Sequence, residues 1–204
     1  MEKLLLVSLF QNVTGLLRQV EPALKGKSVT YIPTASFAES RGFLARMSRW
    51  VLRGMGLRVD TVDVSTEPYE TMQRAFERND LVFVVGGNTF YLLQELRKSG
   101  TDELLREAVR AGKLYIGESA GAIVAAPDIA YSRAMDRPDR APDLHETAGL
   151  GLVDFYPVPH EGNRELGAAA AQIVREHAEA LDVRPFNDKQ AHYVENGVAR
   201  VLNT

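Results

Sequence analysis

Short apolar runs recur along the chain at Leu4–Leu9, Val29–Ile32, Leu57–Val62, Leu81–Val85 and Leu114–Ile116. Between them, apolar residues return at the three-to-four-residue spacing of amphipathic helices. That spacing predicts helices over Gly15–Leu24, Ser40–Gly54, Pro68–Arg78, Thr89–Lys98 and Asp102–Ala111, followed by Ala120–Ala126 and Arg164–Leu181. Strand and helix in alternation predict an α/β three-layer sandwich, a mostly parallel sheet with helices on both faces. In the last quarter Leu152–Val158 reads as a further strand. Ala191–Val194 and Val198–Leu202 flank Glu195-Asn196-Gly197, the Asn-Gly signal of a C-terminal β-hairpin that closes the edge. The stretch from Tyr131 to Thr147 is polar, carries Pro138 and Pro142 and lacks a period, which predicts a loop over a site.

Parallel sheets of this kind bind ligands beyond the C-terminal ends of their strands. Gly117-Glu118-Ser119-Ala120-Gly121-Ala122 lies at such an end, after Leu114-Tyr115-Ile116 and before the small-residue helix. A serine at the apex of a strand-turn-helix is held clear of the sheet beside the helix's first N–H groups, so one backbone geometry supplies an exposed nucleophile and part of an oxyanion hole. Ser119 is therefore the candidate nucleophile. A second apolar strand ends in Gly86-Gly87-Asn88-Thr89-Phe90, where two glycines admit a ligand to the backbone and the next helix aims its N–H groups the same way. The competing reading of that turn as a phosphate cradle lacks both G-x-G-x-x-G and the P-loop pattern.

A serine hydroxyl needs a base, and histidine suits the task near neutrality. His177 lies in the polar face of the long helix, His192 in the terminal hairpin and His145 in the polar loop. His160 follows Phe155-Tyr156-Pro157-Val158-Pro159 at a strand end, on the same edge of the sheet as Ser119, and is the candidate base.

Composition narrows the remaining classes. The 204 residues suit one domain spanning 1–204, with no Pro/Gly/Ser-rich linker. A net charge of −3 and a pI near 5.9 argue against a nucleic-acid surface, and Arg41 to Arg53 read as the solvated face of a helix. Cysteine is absent, which removes disulfides, thiolate metal sites and a cysteine nucleophile. With no His-x-x-x-His or His-Glu-x-x-His spacing and no dinucleotide fingerprint, the expectation is that neither metal nor organic cofactor is used. No apolar stretch is long enough for a bilayer, so the chain reads as a cytoplasmic protein without a membrane partner. A homodimer is left open.

Gly86-Gly87-Asn88-Thr89-Phe90 with Leu92-Leu93, then Gly117-Glu118-Ser119-Ala120-Gly121-Ala122, then Pro159-His160 together resemble the peptidase E (aspartyl dipeptidase) family of serine peptidases. The resemblance implies a fold like class I glutamine amidotransferases and a Ser-His-acid triad. It implies Ser119 as nucleophile, His160 as base, and the N–H groups of Gly87 and Ala120 as the oxyanion hole. The family's acid lies after the long C-terminal helix, where Asn187-Asp188-Lys189 points to Asp188. Asp128, Asp136 and Glu161 are its rivals. Strict aspartyl dipeptidases hold the substrate aspartate with an arginine after the catalytic histidine. Here that segment is the shorter Glu161-Gly162-Asn163-Arg164-Glu165, so a broader subgroup is expected, cleaving short peptides near the N-terminus with a relaxed acidic preference. Arg164 and Asn88 are the candidate substrate contacts, with Arg133 and Arg137 of the loop behind them. An esterase or amidase on the same triad, and a non-catalytic binding module on the same scaffold, are the alternatives.

Overall fold

The computed structural model describes residues 1–38 and 42–204, the side chains of 42–45 excepted. Along the chain it forms β1 (Lys3–Val7), α1 (Thr14–Val20), β2 (Ser28–Ile32), α2 (Gly42–Gly54), β3 (Arg58–Thr61), α3 (Tyr69–Arg78), β4 (Leu81–Val84) and α4 (Thr89–Ser99). There follow α5 (Thr101–Arg110), β5 (Leu114–Glu118), α6 (Ala120–Ile123), β6 (Tyr156–Val158), α7 (Gly167–His177), β7 (Val183–Pro185), β8 (Gln190–Glu195) and β9 (Val198–Asn203). The start of the expected helix Ser40–Gly54, with Ser40 and Arg41, lies outside the described residues.

Seven strands make one sheet in the order β3-β2-β4-β5-β1-β8-β9. The first five run parallel, and β8 enters antiparallel to β1, with Val7 opposite Ala191. The hairpin β8–β9 forms the edge that Asn196-Gly197 predicts; both turn residues have positive φ, 50° and 79°. The central strands are buried at nearly every position because both faces are covered. On β1, Leu4 and Leu6 face a core shared with α3, α4, α5 and α6, while Leu5 and Val7 face one shared with α1 and Leu52 of α2. At the other edge β3 is exposed at Arg58 and Thr61, where charged and polar residues discourage further pairing.

Three expectations are corrected. The run Leu152–Val158 is a strand only over Tyr156–Val158, and it lies outside the main sheet, pairing in parallel with β7. Its first residues cannot join a ladder, because the N–H groups of Leu152 and Val153 donate to the Ala125 carbonyl just beyond α6. The long helix is shorter at both ends: Asn163 Oδ1 accepts from the N–H groups of Glu165 and Leu166 at 2.8 and 3.1 Å, which holds that stretch in an Asx-type turn before Gly167. The helix after Ser119 ends at Ile123, beyond which N–H groups of Ala125 and Ala126 reach back only three residues.

The candidate active site

Every strand-end segment that carries a predicted site residue arrives at one edge of the sheet. The parallel strands β1, β4 and β5 bring Ser8, Gly86-Gly87 and Ser119 there. Because β8 runs the opposite way, the residues just before it, including Asp188, reach the same edge. The small sheet completes the set. Its parallel register places Val158 opposite Pro185, so the residues that follow, His160 and Asp188, come out side by side. The N–H of Phe186 donates to Val158 and that of Glu161 to Phe186, carrying this pairing up to the two side chains.

Ser119 caps β5 with φ 51° and ψ −107°, and its N–H donates to the Val7 carbonyl at 2.8 Å. A non-glycine residue with positive φ is costly unless the surroundings dictate it. Here the glycines on either side permit it by close packing. A Cβ on Gly117 would stand 2.4 Å from the Gly121 carbonyl oxygen, and one on Gly121 would stand 2.3 Å from that of Val84. The turn can press α6 onto β4 and β5 only because both lack side chains.

Ser119 Oγ lies 2.8 Å from His160 Nε2, and His160 Nδ1 lies 3.3 Å from Asp188 Oδ1. His160 is 3 % exposed with φ 70°, and its N–H donates to Ser8 Oγ at 2.7 Å. Asn163 Nδ2 donates to the other Asp188 oxygen at 2.6 Å. Partial burial pushes the Asp188 carboxyl up, but donors from His160, Asn163 and Ser8 outweigh it and leave its pKa lowered. Asp188 is thus held as a carboxylate facing the imidazole. The rival acids are engaged elsewhere or turned outward: Asp128 accepts from Ala130 N–H and Thr147, Asp136 from Thr89, and Glu161 is exposed.

Ser8, Leu9, Val85, Gly86, Gly87, Glu118, Ser119 and His160 line the cleft. Gly87, at φ 147°, passes so close to the preceding layer that a Cβ would fall 2.1 Å from the Ala35 carbonyl oxygen. Among the described residues, neither the Gly87 nor the Ala120 N–H is taken by a backbone carbonyl. Both stand on segments that abut at Ser119, since a Cβ on Gly86 would touch Ser119 Cβ at 2.9 Å. No three acidic or histidine side chains among the described residues gather as a metal site would need.

Other expected residues fall elsewhere. Asn88 is fully buried with both amide ends engaged: Oδ1 caps α4 through Tyr91 N–H at 2.9 Å and Nδ2 donates to the Arg137 carbonyl at 3.0 Å. Arg164 is exposed and does not line the cleft. Arg137 pairs with Asp139 at 2.5 Å and Arg133 is exposed. The polar loop 131–147 packs along α4 rather than over the cleft, fixed by Asp136 on Thr89, by Lys98 on Asp143 and by Arg97 on the Glu146 carbonyl. His145 is exposed, His177 ends α7, and His192 is buried edge-on to Phe186 at 5.0 Å, where burial lowers its pKa. Ser8, Asn163 and Glu118 were not singled out from the sequence. Glu118 alone left a signal, a charge at the end of an otherwise apolar buried strand.

Comparison with known proteins places the chain among peptidases. The model of peptidase family S51 matches residues 4–202. An uncharacterized peptidase of Listeria innocua is 41% identical over 191 residues, covering 94% of this chain and 91% of its own. A protein named peptidase E from Streptomyces coelicolor is 36% identical over 177 residues, covering 84% of this chain and 66% of its own. A 1.5 Å crystal structure of a candidate peptidase E protein from Listeria monocytogenes superimposes with a TM-score of 0.96 at 38% identity, over 100% of this chain and 99% of that one.

Proposed function

The chain belongs to peptidase family S51, and on that premise we propose that it is a serine peptidase acting through Ser119, His160 and Asp188. The observation that carries this reading is the 2.8 Å approach of Ser119 Oγ to His160 Nε2. A nucleophile and base already within hydrogen-bond reach need no rearrangement before attack. His160 takes the hydroxyl proton as Ser119 Oγ attacks the scissile carbonyl. The carbonyl oxygen gains the charge, and the N–H groups of Gly87 and Ala120 receive it. His160 then gives its proton to the leaving amine, and water repeats the cycle on the acyl-enzyme. Asp188 accepts from Nδ1 and holds the tautomer that leaves Nε2 free to act as base.

Short peptides cleaved near the N-terminus are the proposed substrates. Arg164, exposed four residues past the base, supports at most a relaxed acidic preference, because no arginine or lysine lines the cleft among the described residues. A panel of dipeptides, longer peptides and simple esters tests this. The reading predicts turnover of short peptides with free N-termini. Turnover of esters alone would make the chain an esterase, and equal cleavage of internal bonds in long denatured chains would contradict the exopeptidase assignment.

A further inference from the structure

Immediately before the nucleophile stands a carboxylate that the reaction itself does not use. Glu118 ends β5 at 4 % exposure, with its side chain on the α1 and α2 side of the sheet. Its Oε1 accepts the Phe10 N–H at 2.8 Å and its Oε2 the Ser48 hydroxyl at 2.9 Å. The Gly86 N–H also favours the charged form of this carboxylate. These partners come from separate segments, and most of them touch the site. Phe10 follows Ser8, which holds the His160 backbone, and Leu9, which lines the cleft. Gly86 precedes the candidate oxyanion donor Gly87, and Glu118 itself is two residues from the other donor, Ala120. Ser48 ties the whole to α2.

Resting on the serine peptidase reading, we propose that Glu118 is a positioning residue: its carboxylate gathers the 8–10, 86–87 and 118–120 segments so that the base support and both oxyanion donors stand in register around Ser119. The 8–10 and 86–87 turns lie beyond the last ladder pairs of β1 and β4. Backbone bonds from Val85 and Asn88 to Ile32 and Ala35 hold 86–87 to the β2 side, and the Glu118 carboxylate adds the tie to 8–10. Donors on both oxygens of the carboxyl, Phe10 N–H on one and Ser48 on the other, favour the acceptor-only, ionised form. Protonation turns one oxygen into a donor, so the Ser48 bond must reverse or the Phe10 bond break, and the tie between the segments changes.

The environment makes that protonation accessible. Burial raises the Glu118 pKa to about 7, against the pull of Phe10 N–H, Ser48 and Gly86 N–H. The neighbouring titratable group is Tyr31 on β2, itself raised by burial and by Glu118, and the neighbouring cation is Arg49 beside Ser48 on α2. His160 stands in the same cleft, on the far side of Ser119. Activity should therefore fall on the acid side as Glu118 takes up its proton.

The test combines kinetics with a probe that needs no turnover. kcat/KM is measured against pH for the parent, Glu118→Gln and Ser48→Ala, and the amide resonances of Phe10 and Gly86 are followed by NMR over the same range. Glutamine keeps the shape and an acceptor but cannot titrate. Its profile should lose the Glu118 proton, with activity above pH 8 lowered about tenfold toward that of the protonated parent, the scale of one weakened hydrogen bond. Ser48→Ala removes a donor that favours the carboxylate, so its Glu118 inflection should move to higher pH. The Phe10 and Gly86 amides should titrate together in the parent and stay flat in Glu118→Gln. Amides that do not titrate in the parent, or acid limbs unchanged in both variants, would overturn the proposal. A parent that hydrolyses no peptide or ester would instead contradict the peptidase reading on which it rests.

Discussion

Ser119 holds a backbone conformation that a side chain seldom adopts, and the residues around it explain why the turn tolerates it. Gly121 is the strictest of these, since its α-carbon faces the Val84 carbonyl at a distance that no Cβ can occupy. Gly121→Ala should cost about 1–3 kcal/mol of stability, the usual penalty of overpacking, and should lower kcat as Ser119 is displaced; urea unfolding and peptide turnover read the two effects. At the base, Asp188→Asn should leave the circular dichroism spectrum intact and lower kcat by about 10⁴-fold through the wrong histidine tautomer. Glu161→Gln and Asp136→Asn, made in the same assay, should retain far more activity. If Asp188→Asn keeps near-parental kcat while either of the others collapses, the acid role belongs to that residue.

Secondary-structure elements show where the sequence was legible. The central strands could be read because burial on both faces makes them continuous apolar runs, and Ser119 could be read because its glycines mark a strand-turn-helix. The β6–β7 pair could not. Val183-Arg184-Pro185 is a short, half-buried strand with a proline and no alternation, and its partner is fixed only by long-range contact. Yet this pair sets His160 beside Asp188: the candidate base stood out at a strand end, the candidate acid came only from the family resemblance, and their juxtaposition left no local signal. Asn88 shows the converse. The sequence pattern made it a candidate substrate contact, whereas its side chain caps α4 and holds the Arg137 carbonyl of the 131–147 segment. Asn88→Ala should therefore cost about 1–2 kcal/mol in denaturant unfolding, the worth of a lost cap, with KM changed less than kcat-independent binding would require. A tenfold rise in KM with unchanged stability would return Asn88 to the substrate.

The molecule as a whole couples stability to the charge state of its site. Burial raises the Glu118 carboxyl to about 7 in the folded protein, above the ordinary 4.5 of the unfolded chain, so its protonated form contributes stability below that lower value that is lost as pH rises through about 7. Across that window the parent's Tm should fall relative to that of Glu118→Gln, and parallel Tm curves would remove Glu118 from this account. The charge that organises the cleft is thus the form that burial opposes, a trade of stability for function that active sites commonly make. Among the described residues, no helix is long and apolar enough to cross a membrane. The central claim is that Ser119 is a covalent nucleophile, and it is tested most directly by treating the parent and Ser119→Ala with a fluorophosphonate and locating the adduct by peptide mass mapping. The account predicts stoichiometric labelling at Ser119, blocked by a hydrolysable short peptide and absent from the variant. Equal labelling of Ser119→Ala, or an adduct on another residue in the parent, would contradict it.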